Sequence, residues 1–312
     1  MLNYDALSKK PVFFQNITGL KIPEFDALFS KIAEKYPEFE QKRLSRPDRK
    51  RATGAGHPFS LNLKDRVLMI LTYYHVYISS NLMAWLFDLS QSNVLKDIRK
   101  LEPLMSDVLP LPNKEHQKVK QLQTPQELEA MFPGLKAFLD ATEQEIPRPK
   151  SKRKRKSHYS GKKKRHTVKT QLTVNSRGLI VHKTGHVKGS MFDSKLYRRS
   201  HPHLPDNIRL GLDLGYGGLK DDYPKLNCVL PFKKKSPGRG KRGVKAEELS
   251  AEKKAFNKAL ASQRVVVEHT NSRVKKFLIW GGEFRNRLGH YDVMTDIVCG
   301  LVNFRISGTL VV

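Results

Sequence analysis

Acidic residues are scarce in this chain of 312: 30 Asp and Glu stand against 58 Lys and Arg, a net charge of +28. An imbalance of that size points to a polyanionic partner. Cysteine is scarcer still. Cys228 and Cys299 are too few for a disulfide framework or a tetrahedral thiolate zinc site, so a reducing compartment is expected. The first ten residues contain no apolar stretch of the kind that directs secretion. No repeat of 20 to 50 residues is visible, which excludes solenoid and propeller architectures. What is present, 38% hydrophobic and 9% aromatic residues, suffices for a core, and the length suggests about two domains.

One uncharged run, residues 67–87, is long enough in principle to cross a bilayer. Its centre holds His75, Ser79, Ser80 and Asn81, polar groups that would need partners in hydrocarbon. A soluble helical hairpin fits better, and no membrane association is expected.

The charge is unevenly distributed. Up to residue 110 there are 16 basic and 12 acidic residues; beyond it there are 42 and 18. Two stretches hold much of the excess: residues 148–165 carry eleven Lys and Arg, and residues 233–245 carry seven, neither with an acid. Both read as loops, either solvated charge runs, an import signal in a eukaryotic host, or phosphate contacts. The last is favoured because charges this dense repel unless an anion neutralises them.

The first part reads as helical. Leu61, Leu63, Val67, Leu68, Ile70 and Leu71 recur at helical spacing over about 62–76, and a second helix follows over 80–87. Ser90 is a good N-cap for a third, whose inner face is Val94, Leu95, Ile98 and Leu101. Its outer face offers Gln91, Ser92, Asn93, Lys96, Arg99 and Lys100. That is the pattern of a helix-turn-helix with a base-reading third helix, and equally of a plain three-helix bundle; the overall charge favours DNA. A further helix is expected over residues 23–34 and a basic linker over 43–51.

In the second part an apolar strand over 134–142 closes on Asp140. Residues 167–174 and 179–186 form a β-hairpin, 194–199 a short helix, and residues 208–217 a strand carrying Asp213 before glycines. A third strand starts at Cys228, and residues 246–278 are helical, carrying Glu268. Asp140, Asp213 and Glu268 could converge on magnesium, which takes a few hard oxygen ligands. Two such ions about 4 Å apart can drive phosphodiester displacement. A strand-end aspartate is, on spacing alone, as readily a turn former.

Two of the acids stand in compact motifs, Leu139-Asp140-Ala141-Thr142-Glu143 followed by Ile146-Pro147-Arg148-Pro149, and Leu212-Asp213-Leu214-Gly215-Tyr216. These resemble the first- and second-acid motifs of the DDE-type transposases of bacterial insertion sequences and the related Harbinger-type nucleases, a resemblance that covers residues 60–304. Arg264, Glu268 and Lys275 match the tyrosine-arginine-glutamate-lysine signature, except that Ala261 replaces its tyrosine. The family's usual His-Asp pair reads Phe192-Asp193, which leaves Asp193 as a lesser candidate ligand.

The resemblance implies an α/β (mixed) architecture: an all-α helix-turn-helix DNA-binding domain over 1–110 (the motif about 62–102), then a ribonuclease-H-like catalytic domain over 111–312 with basic insert loops at 148–165 and 233–245. It implies that Asp140, Asp213 and Glu268 hold two Mg²⁺ (or Mn²⁺) ions and catalyse cleavage and strand transfer. The expected partners are double-stranded DNA, both transposon ends and target, and a second copy of the chain. The DNA contacts would be the third-helix residues named above, together with Lys152, Arg153, Lys154, Arg155, Lys156, Arg264 and Lys275. Arg264 could steer Glu268 or a phosphate, or form an ordinary surface ion pair. The final segment, 292–304, reads as a helix against the sheet. A bacterial cytoplasm near the nucleoid is the default location. A transposase-derived regulator without catalytic activity is the competing reading, and a nuclease acting on RNA a third.

Overall fold

The computed structural model describes residues 1–45, 50, 57–234 and 248–311. Most of the basic stretch 233–245, and most of the linker 43–51, lie outside the described residues. The chain forms two compact units, Met1–Leu111 with Arg273–Val312, and Pro112–Ser272. Residues 273–312, expected in the second domain, therefore belong to the first unit.

That unit begins with α1 (Tyr4–Ser8), α2 (Pro11–Thr18) and α3 (Ile22–Leu44), the last running ten residues beyond its expected end. Phe14 and Phe25, both fully buried, meet edge to face at 5.3 Å between ring centroids. Next come α4 (Leu63–Val76), α5 (Ser80–Phe87) and α6 (Gln91–Val108). Each starts on a side-chain cap. Asn62 Oδ1 accepts from the Asp65 amide at 2.8 Å, Ser79 Oγ from Leu82 and Ser90 Oγ from Asn93. Such caps contribute about 1 kcal/mol apiece. The uncharged run 67–87 is broken where Tyr77 turns into the left-handed region at φ 50°. No helix among the described residues is long and apolar enough to cross a membrane.

One buried ion pair ties α4 to α6. Arg66 Nη2 lies 2.6 Å from Asp97 Oδ1, Arg66 Nη1 donates to Tyr36 Oη, and the Phe59 ring covers the guanidinium. Every strong donor and acceptor is met, which is what such a pair needs once removed from water.

The second unit starts with α7 (Pro112–Gln121) and α8 (Pro125–Met131) and builds a sheet from seven strands: β1 (Lys136–Glu145), β2 (Tyr159–Ser160), β3 (Arg165–Asn175), β4 (Ile180–Lys183), β5 (Val187–Lys188), β6 (Arg209–Gly211) and β7 (Cys228–Val229). β1 runs antiparallel to β3 over nine residue pairs, from Ala137↔Asn175 to Glu145↔Thr167. On its other edge β1 pairs parallel with β6, and β6 with β7. The outer edge of β3 takes β2, β5 and β4 in turn. Asp140 sits mid-strand rather than at a strand end, since β1 continues to Glu145.

Between these strands lie α9 (Lys152–His158), α10 (Asp193–Ser200) and α11 (Leu219–Asp222), and the long α12 (Ala251–Lys275) follows the sheet. The stretch 148–165 is thus not a loop throughout: Lys and Arg favour helix, and residues 152–158 adopt one despite their mutual repulsion. On one face of the sheet Ala137, Leu139, Leu210, Leu212, Tyr197 and Tyr216 form a buried cluster. Gly211 permits the close packing of β6 on β1, because a Cβ there would come within 2.7 Å of the Phe138 ring.

The last helices, α13 (Leu278–Gly281) and α14 (Tyr291–Ser307), complete the first unit. α14, expected against the sheet, belongs instead to the first unit and packs there on α6 and α13. A Cβ on Gly300 would strike Leu109 and Leu111 side chains within 3 Å, Asn303 Nδ2 donates to the Pro110 carbonyl, and His290 Nε2 meets the buried Glu102 carboxylate at 2.5 Å. Both cysteines are free.

Candidate active site

Asp140 projects from the middle of β1 and is half-buried. Asn271, on α12, donates from Nδ2 to its Oδ2 at 2.6 Å. Burial pushes the Asp140 carboxyl up to about 6; Arg264 pulls it down, while Asp213 and Asp193 push it further up. The like-charge effect locates the two other aspartates in the same electrostatic neighbourhood.

Asp213 follows β6 and caps a short 3₁₀ turn, its Oδ1 accepting from the Gly215 amide at 2.8 Å. Asp193 opens α10 and is fixed from beneath. Buried Lys169 on β3 donates from Nζ to Asp193 Oδ1 at 2.8 Å and to the Met191 carbonyl at 2.7 Å, with Glu143 at 3.6 Å on its other side. Gly215 separates the two carboxylates. A Cβ at this position would lie 3.0 Å from both Asp193 Oδ2 and Asp213 Oδ1, so a larger residue would press on both carboxylates. Tyr216 turns inward and its hydroxyl donates to Gln171 Oε1 at 3.3 Å.

The residues expected to share a site are thus only partly gathered. Asp213, Asp193 and Arg264 all act on the Asp140 carboxyl. Glu268 is exposed on α12, about 40° around the helix from Arg264 and about 60° from Asn271. Its carboxylate makes no hydrogen bond or ion pair with another described residue. Among the described residues, no three His, Cys, Asp or Glu side chains converge tightly enough to hold a metal ion. Arg264 influences Asp140, and its Nε is buried without a hydrogen-bond partner. Lys275 closes α12 and belongs to the other compact unit.

Asn271 and the Lys169–Glu143 pair escaped the sequence reading. A signal for Asn271 existed, since it lies seven residues after Arg264 and so on the same helix face. Nothing distinguished Lys169 among 58 basic residues.

The donor set suits a hard divalent cation. The available atoms are carboxylate and amide oxygens, and a cation between the aspartates would relieve the repulsion that Asp213 and Asp193 add to the effect of burial on Asp140.

The helix-turn-helix residues are displayed in the first unit. Ser92, Asn93, Lys96 and Arg99 are exposed on α6. Gln91 is exposed too, but its Nε2 donates to Ser80 Oγ at 2.8 Å and so braces α5 against α6. Lys100 is half-buried over the Phe59 ring. In the second unit, Lys152, Arg153, Lys154 and Lys156 are exposed on α9, with Arg155 half-buried.

Comparison with known proteins gives this arrangement its class. The model of the DDE superfamily endonuclease matches residues 139–303, and that of the helix-turn-helix of DDE superfamily endonuclease matches residues 59–111. The chain belongs to the DDE superfamily endonucleases, with the helix-turn-helix that accompanies them. Among curated proteins it is 29% identical over 262 residues to the "Probable transposase for insertion sequence element IS702" of Microchaete diplosiphon, covering 83% of this chain and 87% of that one. No solved structure matches.

Proposed function

We propose that the chain is the transposase of a bacterial insertion sequence, binding terminal inverted repeats through α4–α6 and catalysing Mg²⁺-dependent strand cleavage and strand transfer. The observation that carries this reading is the match of the superfamily model over residues 139–303, within which Asn271 holds Asp140 and Asp213, Asp193 and Arg264 act on its carboxyl. A ribonuclease-H-like fold accords with it: antiparallel β4, β3 and β1 followed by parallel β6 and β7. The similarity to a transposase over most of both chains supports the same reading.

In the proposed mechanism Asp140 and Asp213, with Glu268 from α12, would hold the metal. Divalent cations bound there, two Mg²⁺ or Mn²⁺, would activate a water and stabilise charge on the scissile phosphate. Asn271 orients Asp140 through its 2.6 Å bond. Arg264 offsets the concentrated negative charge around Asp140. Gly215 leaves room for the Asp213 and Asp193 carboxylates. The α6 residues would read base edges, whereas α9 and Lys275 would grip phosphates without reading sequence. Cutting two ends implies a homodimer on DNA, working in the cytoplasm near the nucleoid.

The test is incubation of the protein with linear DNA carrying the native gene borders, with and without Mg²⁺. Asp140→Asn, Asp213→Asn and Glu268→Gln should each abolish cutting while leaving DNA binding within about twofold. Full cutting by any one variant removes that residue from the site. A second reading, a transposase-derived regulator without catalysis, is favoured by the absence of three converging ligands among the described residues. It predicts border binding with no cutting at any metal concentration.

A further inference from the structure

The segment that joins α13 to α14 stands beside the exposed face of α6. Although the match to the endonuclease model runs through it, this segment belongs to the first unit, with the helices that the helix-turn-helix model covers. It is moored at both ends. The Arg285 amide donates to Tyr77 Oη at 2.8 Å and the Arg285 guanidinium lies over the Tyr77 ring, while Tyr73 Oη on α4 donates to Asn286 Oδ1 at 3.1 Å. A few residues on, His290 Nε2 meets the buried Glu102 carboxylate on α6 at 2.5 Å. Arg287 lies between these anchors, exposed, and its guanidinium has no hydrogen bond or ion pair among the described residues.

Between the segment and α6 opens a cavity of about 320 Å³. Leu95, Ile98 and Met294 give it apolar lining, and Arg99 and Arg287, both exposed, bring two cations to it. Arg99 likewise has no side-chain partner among the described residues. On α6, Ser92, Lys96 and Arg99 follow one another at four and three residues, so they form a single exposed stripe that ends at the cavity. A helix lying in a major groove about 12 Å wide brings whatever stands beside it against the strand that forms the groove wall. That strand offers phosphates to cations and the apolar faces of its sugars to a lining such as this. The charge suits it, because residues 273–290 carry five Lys and Arg against one acid, Glu283. The anchors on either side of Arg287 also fix its backbone in advance, which lowers the entropic cost of a contact.

On the reading that α6 enters the major groove of the terminal repeats, we propose that the segment 285–290 is a second DNA-binding element, in which Arg287 together with Arg99 grips the backbone phosphates of one groove wall. The contact carries no sequence information of its own. It sets the depth and angle at which α6 meets the base edges. The DNA-binding surface is then assembled from both stretches of chain that make up the first unit, and not from the helix-turn-helix alone.

The experiment uses the full chain and fluorescent border DNA in EDTA, so that no strand is cut, and reads affinity by anisotropy from low to high salt. Arg287→Ala should weaken binding about 5- to 20-fold, on border DNA and unrelated duplex alike, and lower the slope of log affinity against log salt by about 0.9, the share of one phosphate. Arg287→Lys should keep most of the affinity, and both variants should melt at the wild-type temperature. Replacing border phosphates one at a time by neutral methylphosphonates should locate the contact. Wild type should lose affinity at a cluster of phosphates to one side of the α6 site, and Arg287→Ala should be indifferent there. Wild-type affinity and slope in Arg287→Ala overturn the proposal, as does a variant that still senses every phosphate that wild type senses. Asn93→Ala and Lys96→Ala separate this outcome from the fate of the underlying reading. If they weaken border binding and Arg287→Ala does not, the second element alone fails. If Arg287→Ala weakens binding and they change nothing, the segment grips DNA without α6, and the shared groove is overturned; if none of the three has an effect, both fail.

Discussion

Asp140 carries a stability signature of its own. Its carboxyl is pushed up to about 6 by burial, with Asp213 and Asp193 adding to the shift, from an ordinary value of 3.8. A folded-state value raised in this way means the folded protein binds the proton more tightly than the unfolded chain. The neutral carboxyl costs nothing below about pH 4, and the charged one weighs on the fold progressively as pH rises to about 6. Metal-free Asp140→Asn should therefore be more stable than wild type by about 2 to 3 kcal/mol at pH 7.5, with no difference at pH 4. Thermal melts in EDTA at the two pH values measure this. Millimolar Mg²⁺ should raise the wild-type midpoint at pH 7.5 and leave Asp140→Asn unmoved. Equal midpoints for the two proteins in EDTA at pH 7.5 would show that the carboxyl is not under charge stress.

Among elements, α9 decides how the excess positive charge is used. Its residues Lys152, Arg153, Lys154 and Lys156 are exposed, and the Ser157–Ser190 bond fixes them near the aspartates. Neutralising Lys152 to Lys156 together should flatten the plot of log affinity against log salt by about 0.9 for each phosphate no longer neutralised. An unchanged slope would make the helix a bystander. The sequence reading of this region failed for an identifiable reason. Dense like charge bounded by Pro149 and Ser151 resembles a loop, whereas Lys and Arg themselves favour helix once tertiary contacts hold the ends. The end of β1 was misjudged likewise. Thr142 to Glu145 look too polar for a central strand, yet Glu143 is matched across the sheet by Lys169, and Thr167 Oγ1 donates to it at 2.8 Å. By contrast α4, α5 and the start of α6 were legible nearly to the residue, because capping and apolar spacing act locally and agree there, while α6 runs six residues past the expected end at 102. The carboxylates at 140 and 213 were readable from motifs. The effect of Asp213 on Asp140 was not, since it arises from a sheet pairing.

For the whole molecule, the composition of the first unit matters most. Residues 1–111 do not close their own core: Phe277, Trp280, Phe284, Tyr291, Val298 and Leu301 are all at most 1% exposed in the unit they share. Stripping that much apolar surface of its cover exceeds the usual margin of domain stability, about 5 to 15 kcal/mol. A fragment of residues 1–111 should show helical circular dichroism without a cooperative melt. The same fragment fused through a flexible linker to residues 273–311 should regain one. A sharp melt from the shorter piece would contradict this view. Pattern reading placed the boundary near residue 110 and missed the return of the chain, because amphipathic periodicity in α14 reveals which face is apolar and not which neighbour it will meet.

The return of α13 and α14 has a bearing on biosynthesis. A ribosome delivers α4–α6 early, but the residues that seal them emerge last. The first unit can mature only after the second has been translated. A message cut short by a stop codon or a frameshift would therefore leave α4–α6 without the residues that close their core.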